Sequence, residues 1–518
     1  MIYIAMGAGL VALVLATFRW LRVAQREHYI APWVTVLARL WLRVRPLNLA
    51  LWIVALVLTV AGLAPVIGRL VDVPVPEWLG WGAVAAILLL ATLPLGLGLR
   101  GRTGKLNWTA RLKRVLALWI VLVVVIAGIL TLLVGGSGIA IVLLLAPLVM
   151  DLALVILAPL EKRLSRKFLV SARKRLKQVG PKVVAITGSY GKTSTKGYVA
   201  HLLSGSFAVV ASPASFNNLM GLSRAVNERV VPGTEIFVAE MGVYGQGEIR
   251  ELSQSFPPDI AAITTIGEAH LARMGSREVI FKAKAEITEK AGTVVLPIDD
   301  PKLFGLAELC RSQGKRVITV SLDASTDADV TLADGIVTVR REGQSAETAP
   351  VAVSGVGHAI NIAVAVGIAV ALDVPLASLA ARLDTLPDSA HRAEVQHAAS
   401  GVVVIDDTYN SNPVGAARAL DGAAALASSR GGELVVVTPG MVELGSVQRD
   451  RNRAFAAQVA STGGRLFAIG RTNRAALVYG APDARLFDRR EQAVAAALDQ
   501  AGERGVILYE NDLPDHYP

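Results

Sequence analysis

Five apolar stretches crowd the first 160 residues, at about 1–18, 48–67, 78–99, 115–134 and 139–160. Each is close to the ~20 residues a helix needs to cross a bilayer. A backbone in lipid must satisfy its own polar groups, so such stretches are confined to helices. The first begins at Met1 with no basic leader, and Arg19, Arg22 and Arg26 follow it. A cleaved signal peptide has the opposite polarity, so a retained helix is expected.

The loops set the sidedness. Loop 19–47 carries Arg19, Arg22, Arg26, Arg39, Arg43 and Arg45, and loop 100–114 carries Arg100, Arg102, Lys105, Arg111, Lys113 and Arg114. Between them, loop 68–77 has Arg69 beside Asp72 and Glu77, and the turn at 135–138 has no base. Basic loops stay in the cytoplasm. The expected topology is therefore an N-terminus outside, five spans of an inner or plasma membrane, and everything after about 161 in the cytoplasm. Trp20, Trp52, Trp78, Trp81 and Trp119 fall near span ends, where amphipathic rings settle. Asp151 lies inside the fifth stretch; an acid there marks either function or a helix–helix hydrogen bond. Segment 161–179 is basic with spaced Leu, Phe and Val, and reads as a helix lying on anionic headgroups or as a solvated linker.

Charge excludes one class of partner. The net charge is +10, but residues 1–180 hold 21 Lys/Arg against 5 Asp/Glu, and the remainder holds 31 against 37. The basic excess belongs to the membrane half, and nucleic acid is not an expected partner. The one cysteine, Cys310, allows no disulfide and no zinc ribbon within one chain.

The second half opens on chemistry. Residues 181–187 form a β-branched run, expected as a buried strand. Gly188-Ser189-Tyr190-Gly191-Lys192-Thr193-Ser194-Thr195 follows at once, then a helical stretch to about Leu203. Strand, glycine loop, Lys-Thr and helix make a phosphate cradle: backbone N–H groups and a helix N-terminus face the anion. Lys192 can reach the β/γ-phosphates, and the Thr193 hydroxyl can ligate Mg²⁺.

This short Gly-x-x-Gly-Lys-Thr loop resembles that of the Mur ligases and the related folylpolyglutamate and cyanophycin synthetases. Further similar motifs follow in family order. They are Ser215-Phe216-Asn217-Asn218 with Gly221, Ala239-Glu240-Met241-Gly242, Gly245-Gln246-Gly247-Glu248-Ile249, Ala269-His270-Leu271, and Lys282-Ala283-Lys284-Ala285-Glu286-Ile287. Gly357-His358-Ala359-Ile360-Asn361 and Gly440-Met441-Val442-Glu443-Leu444-Gly445 come later. Asp406-Asp407-Thr408-Tyr409-Asn410-Ser411-Asn412-Pro413 resembles the signature of the MurF branch, which adds D-alanyl-D-alanine. The resemblance covers about 180–510.

The apolar stretches and their loops give an α-helical transmembrane domain (1–164) and a basic linker (165–180), and the resemblance implies a P-loop-type α/β central domain (181–390) and a smaller Rossmann-like α/β domain (391–518). It also implies a reaction. ATP phosphorylates a carboxylate of a peptidoglycan precursor, and an amino acid or dipeptide attacks the acyl phosphate through its amine. Glu240 would hold Mg²⁺ with Thr193, and His270 and Lys284 a second ion. The family's lysine is commonly carbamylated, which makes it an anionic ligand. Lys282, two residues earlier, competes for that assignment. Asn217 and Asn218 would contact substrate or cap a helix. His358 and Asn361 would flank the nucleoside, Arg392 an ATP phosphate, and Asp406 the nucleotide. Asp407 would touch the nucleotide or the incoming amine, and Asn410 and Asn412 would shape that substrate loop, or serve its turn alone.

The departures matter. Pro297-Ile298-Asp299-Asp300 replaces Asn-Ala-Asp-Asp, Asn452 stands near a usual His, and Tyr509-Glu510-Asn511-Asp512 replaces a Lys-Gly-Ser-Arg ending. The apolar helices also stand where relatives have a soluble UDP-sugar domain. The acceptor is therefore UDP- or lipid-linked, or a different polyglutamyl or amino-acid substrate. A catalytically inactive membrane scaffold is the remaining reading.

Overall fold

The computed structural model describes residues 2–101, 104–214, 216–242, 244–351, 359–387, 394–398, 400–409 and 411–518. The chain divides into a unit of residues 1–164 with 513–518 and a second unit of residues 165–512.

In the first unit, helices Ile2–Arg26, Pro46–Leu70 and Ala110–Val134 are long and apolar enough to span a bilayer. A fourth candidate is the pair Ser137–Leu144 and Ala146–Val179, bent by 66°. The expected span at 78–99 differs. It folds as a turn of 3₁₀ helix (Glu77–Gly80) and a helix of only Trp81–Thr92. Twelve residues reach about 18 Å, short of the ~30 Å core. Pro94 ends this helix, because the residue before a proline is pushed out of helical conformation. Among the described residues, three or four helices are thus long and apolar enough to span, against five expected. Small residues let the short helix pack close: a Cβ on Gly82 would lie 2.5 Å from the Leu58 carbonyl.

A helix that hydropathy missed, Trp33–Val44, explains Asp151. Its N-cap position is Pro32, which offers no side-chain cap. Asp151 supplies one from another helix, accepting from Val34 N (3.3 Å), Thr35 N (2.8 Å) and Thr35 Oγ1 (2.5 Å). The acid serves packing between helices. Asp151→Ala should therefore lower the unfolding temperature in detergent, at a cost of about 1–2 kcal/mol, while Asp151→Asn keeps most of it. Equal melting of wild type and Asp151→Ala, followed by calorimetry, would remove the cap from the account.

The loops of this unit meet at one end. Gln25 and Asn107 exchange two hydrogen bonds, at 2.7 and 2.9 Å. The C-terminal residues join them: Asp515 pairs with Arg22 at 3.2 Å, and His516 contacts Glu27 at 2.9 Å and accepts from Trp41 Nε1.

The second unit begins inside the helix 146–179. Residues 165–179 pack on this unit rather than forming a free linker. Ala172, Leu169 and Leu176 pack with Val230, Leu252 and Phe256 of the second unit's core, and Arg173 donates to the Ser255 carbonyl. Lys167, Lys174 and Lys177 remain exposed.

Two sheets organise the rest. The first holds β1 (Lys182–Thr187), β2 (Val209–Ala211), β3 (Ile236–Glu240), β4 (Ile260–Ile263), β5 (Thr293–Pro297), β6 (Arg316–Ser321), β7 (Val330–Ala333), β8 (Ile336–Val339) and β9 (Glu347–Pro350), in the order β2-β3-β1-β4-β5-β6-β7-β8-β9. It is parallel to β7 and antiparallel beyond. Strand residues alternate between two cores. Val184, Ile186 and Val238 face helices Lys192–Leu203 and Ala359–Ala371; Val183, Ala185 and Phe237 face helices Leu219–Arg229 and Arg277–Ala285. Burial on both faces is why these strands read as continuous apolar runs. The second sheet holds β10 (Glu394–His397), β11 (Val403–Asp407), β12 (Leu434–Thr438), β13 (Arg465–Ile469), β14 (Arg485–Phe487) and β15 (Val506–Glu510), in the order β10-β11-β15-β12-β13-β14. Only the β10–β11 pair is antiparallel. Both halves are the expected α/β layers.

Candidate active site

Parallel sheets present ligand sites at the carboxyl ends of their strands. At the end of β1 the chain turns into the loop 188–191. Register places Ile186 beside Glu240, so the last residue of β3 lies next to that loop. Gly191 has φ +80°, and a Cβ there would sit 2.0 Å from Asn361 Oδ1. A side chain is excluded at this position, which brings Asn361 against the loop.

The polar groups of the loop are fixed. Ser189 N donates to the Thr265 carbonyl, and Ser189 Oγ accepts from Gly267 N at 2.9 Å. Tyr190 OH accepts from Glu268 N at 2.8 Å, and burial pushes the phenol up to about 12. Ser194 lines the adjoining cavity. Lys192 Nζ donates to the Gly188 carbonyl at 2.7 Å. Lys284 Nζ, 2 % exposed, donates to the same oxygen at 3.0 Å. Burial and the neighbouring Lys192 hold the Lys284 amine well below the ordinary lysine range. A neutral amine is the form that CO₂ carbamylates. Lys282 is exposed and lies 3.9 Å from Glu278, so the structure distinguishes the two lysines.

Thr193 Oγ1 donates to Glu240 Oε2 at 3.0 Å, and Asn217 Nδ2 to Glu240 Oε1 at 3.3 Å. A hydroxyl beside a carboxylate is a hard oxygen pair that fits Mg²⁺, with phosphate oxygens and water completing the shell. Among the described residues, no three His, Cys, Asp or Glu converge as a metal group without such a supplement. Sequence reading missed Lys196, buried and 2.8 Å from Glu240 Oε2. Burial raises the Glu240 carboxyl, but Lys196, Lys192 and Thr193 outweigh it and hold it below the usual range. The signal was spacing: Lys196 is one turn beyond Lys192 on the same helix face.

His270 stands at φ +60°, and its Nδ1 lies 2.6 Å from Glu443 Oε2. Burial, then the charges of Lys192 and Lys284, outweigh Glu443 and lower its basicity. Asn218 caps helix 219–229 through Gly221 N, and Asn412 caps helix Pro413–Arg430 through Gly415 N. Asn412 also lines the cleft beside the loop 188–191. Asp406 turns back to Thr408 N and Oγ1, whereas Asp407 lines the cleft. His358, Arg392 and Asn410 lie outside the described residues. The cleft is a cavity of ≈ 830 Å³ with further cations at Arg277, Arg418 and Arg451 that the motifs did not indicate. Arg451 clasps Glu268 at 2.6 and 2.9 Å. Asp299, beside Pro297, is held by Leu322 N.

Glu510, at the end of β15, is buried beside Asp407. Burial, then Asp407, push its carboxyl well above the usual carboxylate range. Such a group takes up a proton on folding, so its cost is absent below the unfolded value of ~4.3 and grows as pH rises toward the folded value. Glu510→Gln should raise the unfolding temperature at pH 8 by a few degrees, and the gain should shrink toward zero near pH 4. A pH-independent effect in calorimetry would contradict this.

Comparison with known proteins agrees with this geometry. Residues 186–369 match the Mur ligase middle domain, and residues 391–509 the Mur ligase, glutamate ligase domain. The UDP-N-acetylmuramoyl-tripeptide--D-alanyl-D-alanine ligase of Mycobacterium tuberculosis is 36% identical over 244 residues, 45% of this chain and 47% of that one. The Bacillus subtilis protein of the same name is 31% identical over 285 residues, 54% and 60% of the two chains. The chain thus spans about half the length of the curated relatives it matches. Among solved structures, MurF from Acinetobacter baumannii superposes with a TM-score of 0.57 at 24% identity, covering 67% of this chain and 77% of that one. A MurF ligase from Thermotoga maritima in complex with ADP gives 0.55 at 23%, covering 67% and 80%. These two likenesses concern the fold.

Proposed function

We propose that this chain, which belongs to the Mur ligase family, is an ATP-dependent ligase of peptidoglycan precursor synthesis that forms an amide bond through an acyl phosphate. One observation carries the reading: Lys192 and the buried Lys284 converge on the Gly188 carbonyl, beside the Thr193–Glu240 pair. One cation, a second amine buried beside it and a hard oxygen pair at a helix N-terminus suit a nucleotide's terminal phosphates and their metal ion.

The acceptor carboxylate attacks the γ-phosphorus, and the bond to the ADP oxygen breaks. The lone pair of the neutral amine then attacks the acyl carbon, the carbon–oxygen bond to phosphate breaks, and the nitrogen sheds one proton to leave the amide. Such a route asks for positioning and charge neutralisation rather than a protein nucleophile. Lys192 neutralises the transferring group. Thr193 and Glu240 would hold Mg²⁺, which would supply charge neutralisation at the phosphates when bound. Lys284, if carbamylated, would add an anionic oxygen for a second ion, and His270 a nitrogen. Asp407 and Asn412 face the cleft from the second sheet.

The relatives' names point to a muramoyl tripeptide as acyl donor and D-alanyl-D-alanine as amine. The apolar helices favour a membrane anchor with the catalytic unit on the cytoplasmic side. Support comes from the basic loops and from the Gln25–Asn107 contact, which gathers two of them at one end. An anchored enzyme is suited to a polyprenyl-linked acceptor as well as a UDP-linked one. ADP release from detergent-purified protein, given each acceptor with D-alanyl-D-alanine or other amines, tests the reading. Release that needs both acceptor and amine supports it; no release with any pair rejects it.

A further inference from the structure

His270 and Glu443 are both non-glycine residues with left-handed backbones, at φ +60° and +62°. Each conformation is costly and persists only where its surroundings enforce it. The two residues meet. Glu443 Oε2 engages His270 Nδ1 at 2.6 Å, Oε1 takes Arg273 Nη2 at 3.0 Å, and the Glu443 carbonyl accepts from Ala272 N at 2.9 Å. The loop after β12 therefore grips the start of helix Leu271–Met274 at three points.

That loop is itself scaffolded. Asn452, fully buried, accepts from Met441 N at 2.7 Å and donates to the Met441 carbonyl at 2.9 Å. Asn473 donates to the carbonyls of Pro439 and Met441, both at 3.0 Å. The Tyr244 ring stands edge-on to the histidine, with centroids 5.0 Å apart. Burial raises the Glu443 carboxyl, but His270 and Arg273 outweigh it and hold it at about 2.

We propose that Glu443 is a positioning residue: it fixes the His270 ring through Nδ1 and leaves Nε2 to a divalent cation at the phosphate site. A carboxylate on one imidazole nitrogen keeps the proton there and the lone pair on the other. The second-cation site is then complete only while the loop from the second sheet is docked on His270. This rests on the ligase reading above. The shared carboxylate also separates two roles, because Arg273 uses its other oxygen.

The test is Mn²⁺ titration of the full chain in detergent with ADP present, followed by electron paramagnetic resonance. ADP affinity comes from calorimetry and the Mg²⁺ midpoint from turnover. In Glu443→Gln the second Mn²⁺ should bind roughly 10- to 100-fold more weakly, with ADP affinity unchanged and the Mg²⁺ midpoint raised in parallel. Arg273→Gln, which spares the His270 contact, should leave the second Mn²⁺ in place. Unchanged Mn²⁺ affinity in Glu443→Gln overturns the proposal, as does equal loss in both variants. Wild type that binds two Mn²⁺ but releases no ADP with any substrate pair rejects the ligase reading alone; wild type that binds one rejects the positioning role.

Discussion

Lys192→Ala is expected to abolish ligation, lowering turnover by about 10³-fold or more. The side chain now donates to the Gly188 and Ser189 carbonyls at 2.7 and 3.4 Å, at the mouth of the loop where phosphates would enter. Neither neighbouring lysine can take over its charge. Lys196 is committed to Glu240, and Lys284 is buried with its basicity depressed. Arginine is not a conservative replacement, because a planar fork cannot take the place of a point charge in a tight backbone loop. The check is ADP release under saturating substrates, with thermal unfolding as a control for folding. Turnover within tenfold of wild type would detach the loop from the chemistry.

Lys284→Ala should have the second largest effect, a loss of roughly 10²- to 10³-fold in turnover, with ATP affinity changed only a few-fold. Burying an ammonium without a carboxylate is expensive, and the surroundings of Lys284 favour the neutral amine. Such an amine adds CO₂ and loses a proton to become an anion, which relieves the burial of one lysine beside another. Turnover measured with ATP affinity by calorimetry separates the roles. Unchanged turnover would retire the carbamate; a parallel collapse of ATP binding would recast the lysine as part of the nucleotide cradle. Lys282→Ala serves as the contrast, since that side chain is solvated and should be near neutral in effect.

Much of this site was legible in the order of residues. The phosphate loop is a local feature: strand, glycines, Lys-Thr and helix are contiguous, and local geometry follows local sequence. Glu240 and Lys284 were found because each sits in a short motif at an element's end. What escaped was non-local or shared. Lys196 is an ordinary helix lysine until the sheet register puts Glu240 beside it. Glu443 was visible within its glycine-rich segment, but nothing in sequence pairs it with a histidine 173 residues away. Asn218 and Asn412 look alike in sequence, and both cap helices; only the fold turns Asn412 also toward the cleft.

The helical half was less legible, because hydropathy measures greasiness and not helix ends. Pro94 shortens the helix 81–92, and Asp151 was readable as costly but not as the cap of a helix 116 residues away. The segment 165–179 shows its charges in sequence, while its small apolar stripe, Leu169, Ala172 and Leu176, is what packs.

Transfer of oxygen tests the central claim most directly. With the acceptor carboxylate labelled with ¹⁸O, an acyl-phosphate route leaves one labelled oxygen in each phosphate released with ADP. That transfer is the expected result, dependent on both amine and acceptor and lost in Lys192→Ala. ADP release accompanied by unlabelled phosphate would contradict it, because the γ-phosphoryl group would then have gone to water rather than to a carboxylate.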